Sequence, residues 1–159
     1  MRKIASILLI FLALMSCTQE ITRNNPSLQG LKDGVLWRAK DSYAVLSSST
    51  GALTLTGLTE YETLTLMTNS PNPQTYILGT STAQQATYQY ARDGVFLDYA
   101  TGIDIGDGQI VISEYDAVNN TITGTFRFNA ENLEDNPDEA EIVNYQQGVF
   151  YKIPITPIE

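Results

Sequence analysis

The chain has 159 residues, with eighteen Asp and Glu against nine Lys and Arg, a net charge of −9, no histidine and a single cysteine. A body this acidic repels nucleic acid and anionic lipid headgroups. Without histidine, and with one cysteine, the sequence has no Cys/His zinc site, no disulfide of its own, no Ser-His or Cys-His nucleophile and no imidazole pH sensor, so carboxylates, hydroxyls, tyrosines and a few basic side chains are all that remain for chemistry.

The first seventeen residues carry the layout of an export signal. Arg2 and Lys3 supply a positive start, Ile4 to Met15 form an apolar stretch broken only by Ser6, and the small Ser16 stands before Cys17. The run is too short for a permanent bilayer span, which takes roughly 20 residues. A cut after Ser16 would place the large Leu14 three residues back, against the small-x-small rule of ordinary secretory signals. Leu14, Met15, Ser16 and Cys17 instead resemble a bacterial lipobox, which implies acylation of Cys17 and removal of residues 1–16. Two or three acyl chains, at about 0.8 kcal/mol per buried CH₂, would hold the protein to a bilayer permanently, so Cys17 reads as a tether and not as a catalyst. Removal of residues 1–16, which contain two of the basic residues and no acid, leaves 143 residues (159 minus 16) and a charge of −11 (seven basic against eighteen acidic). That length suits one domain. Residues 17–27, the cysteine followed by TQEITRNNPS, are polar and aperiodic and read as a flexible leash to a domain over 28–159.

From Leu28 onward apolar residues recur at every second position, the period of a strand. In chain order the pattern predicts strands over 34–40, 42–48, 52–57, 61–68, 75–79, 86–91, 95–100, 108–116, 121–130 and 148–155, all rich in Thr, Tyr, Val, Ile and Phe. The clearest is TITGTFRFNA, where Ile122, Gly124, Phe126, Phe128 and Ala130 share one face and Thr121, Thr123, Thr125, Arg127 and Asn129 the other. Asp33-Gly34, Thr50-Gly51, Asp93-Gly94 and Asn119-Asn120 supply the positive φ of tight turns. Two connections are longer: NSPNPQ (69–74), and ENLEDNPDEAE (131–141), where six acids crowd one loop that has room for a short helical turn. Pro154 and Pro157 are expected to end the last strand. The sum is an all-β single antiparallel domain of about nine or ten sequentially paired strands, a β-sandwich or a flattened up-and-down barrel.

The lipobox, a G-x-x-W-x-A strand (Gly34, Trp37, Ala39), a T-Y-x-L strand (Thr75, Tyr76, Leu78), the N-T-I-T-G-T-F-R-F-N-A strand (120–130) and a closing G-x-F-Y-x-I-P-I strand (148–155) together resemble small uncharacterised lipoproteins of the Bacteroidota. The resemblance covers nearly the whole chain after Cys17. It implies a lipid-anchored place on the outer membrane, facing the periplasm or the surface, and carries no catalytic residue.

Three constellations invite chemistry. Asp98, Asp104 and Asp107, with glycines between them, could wrap a calcium ion, but their spacing matches no calcium-loop pattern and a solvated turn accounts for them. Tyr88 and Tyr90 share one strand face, and Tyr99 follows the Asp93-Gly94 turn, so the three could form a platform for a sugar ring; aromatic pairs across strands also stabilise sheets without any ligand. Trp37 reads as core. Among eighteen acids some pair must lie close, so proximity alone does not indicate a glycosidase. No cofactor is implied. The expected function is therefore that of a membrane-anchored, non-catalytic β domain of the cell envelope, acting by binding a protein or glycan partner or as a structural accessory. The alternatives are a lipocalin-like carrier of a small hydrophobic ligand and a carbohydrate- or calcium-dependent adhesion module. The carrier requires that Leu53, Leu55, Leu64, Leu66, Ile110, Ile112, Phe126 and Phe128 line a hole and do not fill it.

Overall fold

The computed structural model describes residues 27–134 and 139–158. The expected export signal, Cys17 and the expected leash up to residue 26 lie outside the described residues, as does 135–138 of the acidic connection. Eleven strands and no helix make up the described chain: β1 (Ser27–Lys32), β2 (Val35–Arg38), β3 (Asp41–Ser47), β4 (Leu53–Leu58), β5 (Glu62–Thr68), β6 (Gln74–Leu78), β7 (Gln85–Arg92), β8 (Val95–Ala100), β9 (Asp107–Asp116), β10 (Thr121–Asn132) and β11 (Ile142–Ile158). Each of the ten expected strands is present, and β1 is additional. Ser27, expected as the last leash residue, already pairs with Tyr151.

The turns form where the dipeptides indicated. Asp33 and Gly34 (φ 50° and 79°) close β1–β2, and Asp93 and Gly94 (φ 52° and 83°) close β7–β8. Both positive values match the right-handed strand twist, and aspartate tolerates them because its short polar side chain bonds locally.

The all-β expectation holds, whereas strictly sequential pairing does not. The strand order is β2-β1-β11-β3-β4-β5-β7-β8-β10-β9-β6, and an additional β10–β11 pairing closes this sheet on itself. The 69–73 connection carries β6 away from β5 to the outer edge of β9, and β7 returns to pair with β5. Tyr76 anchors that excursion: its hydroxyl lies 2.8 Å from the Ser70 carbonyl and 2.9 Å from that of Asn72. One layer is thus β2-β1-β11-β10-β9-β6 and the other β3-β4-β5-β7-β8. They join at two corners, where Ile155–Ile158 of β11 run parallel to Ala44–Ser47 of β3, and where Glu131 and Asn132 of β10 meet Ala100 and Tyr99 of β8.

A strand can serve both layers only if it bends, and β11 bends at two bulges. Buried positions run Val143 and Tyr145, then Gly148 and Phe150, then Ile153 and Ile155, so the alternation slips by one residue twice. Each slip contains a non-glycine residue in the left-handed region, Gln147 (φ 51°) and Lys152 (φ 48°), where the ladders to β1 and β10 change register. The displaced Lys152 amide donates to Thr123 Oγ1 at 3.1 Å. Neither proline ends the strand. Pro154 lies between the last β1 partner at Tyr151 and the first β3 partner at Ile155. The Ile155 amide donates to Asn120 across the β10 side, and Pro157, two residues on, would point its missing N–H to that same side, beyond the start of β10.

The inner faces of both layers pack as one cluster. Gly124 pairs with Phe150 and Phe126 with Gly148, so each phenyl ring lies over the opposing glycine. A Cβ at Gly148 would stand 2.6 Å from the Phe126 ring, and one at Gly124 would meet both the Phe150 ring and the Val111 carbonyl. The eight residues on which the carrier reading depends are packed within the cluster, none more than 3% exposed.

Candidate functional site

Two charges stand in phase with buried strand residues and lie on the inner face. Glu62 opens β5 in step with the buried Leu64 and Leu66, and Lys32 closes β1 in step with Leu28 and Gly30. Both face the interior at the same end of the sandwich, where Lys32 Nζ pairs with Glu62 Oε1. The Tyr88 hydroxyl donates to the same oxygen at 2.7 Å and itself accepts from Lys32 Nζ at 2.7 Å. Glu62 Oε2 accepts from Trp37 Nε1 at 2.8 Å and from Thr59 Oγ1 at 3.2 Å. Four donors thus occupy the roughly four lone-pair directions of one carboxylate.

Burial pushes the Glu62 carboxyl up, but the Lys32 ammonium and the hydrogen bonds from Tyr88 and Trp37 outweigh it and hold the group below the usual carboxylate value. It remains ionised at neutral pH, so it is not a general acid, and with its lone pairs engaged it has no free position from which to act as a base. The Tyr88 phenol is pushed far up, by burial first and then by the adjacent Glu62 carboxylate. Beneath the ion pair lies an aromatic floor. The Tyr145 ring stacks on Phe128 at 4.9 Å and meets Trp37 edge-on at 5.8 Å, and Tyr88 lies 5.9 Å from both Tyr145 and Tyr99. The fully buried Tyr145 hydroxyl has no hydrogen-bond partner among the described residues. The arrangement closes one end of the core with a charged seal.

Tyr88, Tyr90 and Tyr99 do come together, since Tyr88 and Tyr99 are direct cross-strand partners. They face inward, however: Tyr88 and Tyr99 are buried, Tyr90 packs against the core, and the Tyr99 hydroxyl donates to the Ala140 carbonyl at 3.0 Å. The Tyr88 and Tyr99 rings pack against each other in the core, so the three do not form a surface platform. Trp37 is buried, as expected.

The three aspartates are not brought to one point. Asp98 lies on β8, Asp104 (φ 59°) is exposed within the 101–106 connection, and both Asp107 carboxylate oxygens accept from Asn129 Nδ2 at 3.0 and 3.2 Å. No group of three or more acids placed to hold a metal ion occurs among the described residues. Lys32 and Glu62 are absent from the expected site residues. Their signal was a charge in phase with leucines in ETLTLMT and SLQGLK.

No curated protein and no solved structure matches the chain. Residues 24–154, which take in every strand up to the second half of β11, match a family described as a domain of unknown function. The chain belongs to that family, DUF6252.

Proposed function

We propose that the protein is an exported lipoprotein, acylated at Cys17 after loss of residues 1–16, whose β domain acts without catalysis in the cell envelope, by binding a partner or as a structural accessory. The observation that carries this reading is the Leu14-Met15-Ser16-Cys17 run, which closes a charged and apolar leader with the sole cysteine of the sequence. The resemblance to Bacteroidota lipoproteins supports the same placement on an outer membrane.

The site supports a non-catalytic role, because its carboxylate is saturated with donors and held ionised. A carrier requires inward side chains that border a hole, and the dense packing of Leu53, Leu64, Ile110 and Phe128 favours a domain that works through its surface. The test is Cys17→Ser in the native host. The parent is expected to carry acyl mass and to sediment with membranes, while the variant loses both; a variant with unchanged mass and membrane retention refutes the anchor.

A further inference from the structure

A strand at the edge of a sheet holds one row of backbone N–H and C=O groups with no strand beside it, and folds ordinarily blunt such edges with charge, proline or a bulge. The strand order leaves two edges among the described residues, β2 and β6. The first is blunted. β2 has four residues and ends on Arg38, whose Nε donates to Gln29 Oε1 at 2.9 Å; the chain then turns into the other layer, where the Lys40 amide donates to the Leu58 carbonyl at 2.7 Å. β6 has none of these devices. Its five residues, QTYIL, include no charge and no proline, and its ladder to β9, from Gln74–Ile112 to Leu78–Gly108, runs without a register shift. Tyr76 and Leu78 are buried on the inner face, so Thr75 and Ile77 stand on the outer one, both exposed, Ile77 by 49%. Both are β-branched and suit a further cross-strand partner.

The charges around β6 select that partner. The chain carries −9, yet residues 63–91 contain no Asp, Glu, Lys or Arg, and neither does the stretch 108–112 of β9 that pairs with β6. For β5 and β7 this follows from position, since each lies between two strands. β6 has one strand neighbour, so enclosure does not account for its lack of charge. A second copy of so acidic a chain repels the first wherever their acids meet, and at this edge they do not meet. The strand also fits itself. Antiparallel pairing about a two-fold axis at Tyr76 sets Thr75 opposite the partner's Ile77 and Ile77 opposite the partner's Thr75, which covers both exposed isoleucines and leaves no unmatched position on either side.

We propose that β6 is the seam of a homodimer, pairing antiparallel with β6 of a second copy so that the β2-β1-β11-β10-β9-β6 layers join into one continuous sheet. A seam of five residues per chain is much shorter than a standard interface of about 20–30 residues a side, so the dimer is expected to dissociate on dilution. The inference goes beyond the binding role proposed above and does not require the anchor at Cys17.

The test uses the full chain in detergent, followed by sedimentation and by amide hydrogen exchange up to roughly 1 mM protein. The mass is expected to rise from monomer to dimer and no further. The amides within 74–78 that face away from β9 should exchange more slowly as concentration rises, while those of 35–38 stay unchanged. Raised salt should hold or strengthen the dimer, because it screens the net charge. Ile77→Lys, and separately Thr75→Lys, should weaken association about tenfold or more with the circular dichroism unchanged, whereas Val118→Lys, in the exposed turn between β9 and β10, should leave it as it was. Thr75→Cys with Ile77→Cys, in a Cys17→Ser chain that has no other thiol, should cross-link to a dimer that a reductant reverses; Leu36→Cys with Arg38→Cys in the same chain should not. A monomer at every concentration, a dimer indifferent to both lysines, or association that weakens as salt rises overturns the proposal. So does a ladder of higher oligomers, which would pair β6 with β2 of the next copy, or β6 amides already slow in the monomer, which would mean that the same chain covers the edge. Acyl mass and membrane retention are read separately, so loss of the anchor and failure of the seam are distinguishable.

Discussion

Glu62→Ala removes the acceptor that Lys32, Trp37, Thr59 and Tyr88 share. Trp37 Nε1 and the Tyr88 hydroxyl then stay buried without their acceptor, because their residues are only 5% and 4% exposed. Each such group costs about 1–3 kcal/mol. The Lys32 side chain is 24% exposed and can turn toward water, so its loss is smaller than that of a fully enclosed ammonium. The expected total is about 3–4 kcal/mol, or roughly 10 °C in melting temperature for a domain of this size. Glu62→Gln keeps one uncharged oxygen for Trp37 and Thr59, but removes the charge and puts an amide NH₂ where Oε1 accepts from Tyr88 and pairs with Lys32. It should cost about 1–2 kcal/mol, since the pair is partly solvated. Trp37 is the sole tryptophan and lies in the cluster, so urea unfolding followed by its fluorescence, with circular dichroism as a second probe, reads both variants directly. A loss below about 1 kcal/mol for Glu62→Ala, or equal losses for the two variants, would refute the view that this carboxylate seals the core by accepting buried hydrogen bonds.

Three further outcomes follow from the same structure. The Glu62 carboxyl is held below its unfolded value, so its contribution is present above about pH 5 and is lost as pH falls through the ordinary glutamate range and on to the depressed folded value; the urea midpoint should drop there, less steeply in Glu62→Gln, and parallel pH profiles would contradict it. Tyr145→Phe deletes a buried hydroxyl with no partner while keeping the ring stacked on Phe128, so stability should rise by about 1 kcal/mol; a loss of that size would mean that the hydroxyl is bonded. Gly124→Ala drives a methyl into the Phe150 ring and the Val111 carbonyl, the latter being backbone that cannot turn aside, and should cost about 1–3 kcal/mol or more in thermal melts, whereas Gly34→Ala, with nothing within 4 Å, is limited to the strain of its positive φ.

Period-two alternation and turn dipeptides were enough to read the all-β class, the existence of ten strands and the inner face of β10, because each depends only on neighbours along the chain. β1 escaped because Gly30 interrupts its apolar face; that glycine is needed where β1 approaches Gly148 at the first bulge, a contact between segments more than a hundred residues apart. The early part of β11 escaped for the same reason, since bulges at Gln147 and Lys152 shift the buried phase and local periodicity reads such a shift as an end. The prolines misled likewise, because whether a missing N–H matters depends on which partner lies beside it. The candidate tyrosines were found, but their role was decided by which face of β7 and β8 the closed sheet turns inward. Lys32 and Glu62 were visible only as charges out of place on apolar faces; that they neutralise each other over an aromatic floor required β1 and β5 to be set on opposing layers of one end of the fold. The sequence by itself determined composition, strand period, turns and the lone cysteine behind an apolar leader. Only the tertiary structure decided the order of pairing, the bends that join the two layers and the partner of every buried charge, because these are relations between residues far apart in the chain and no local pattern encodes them.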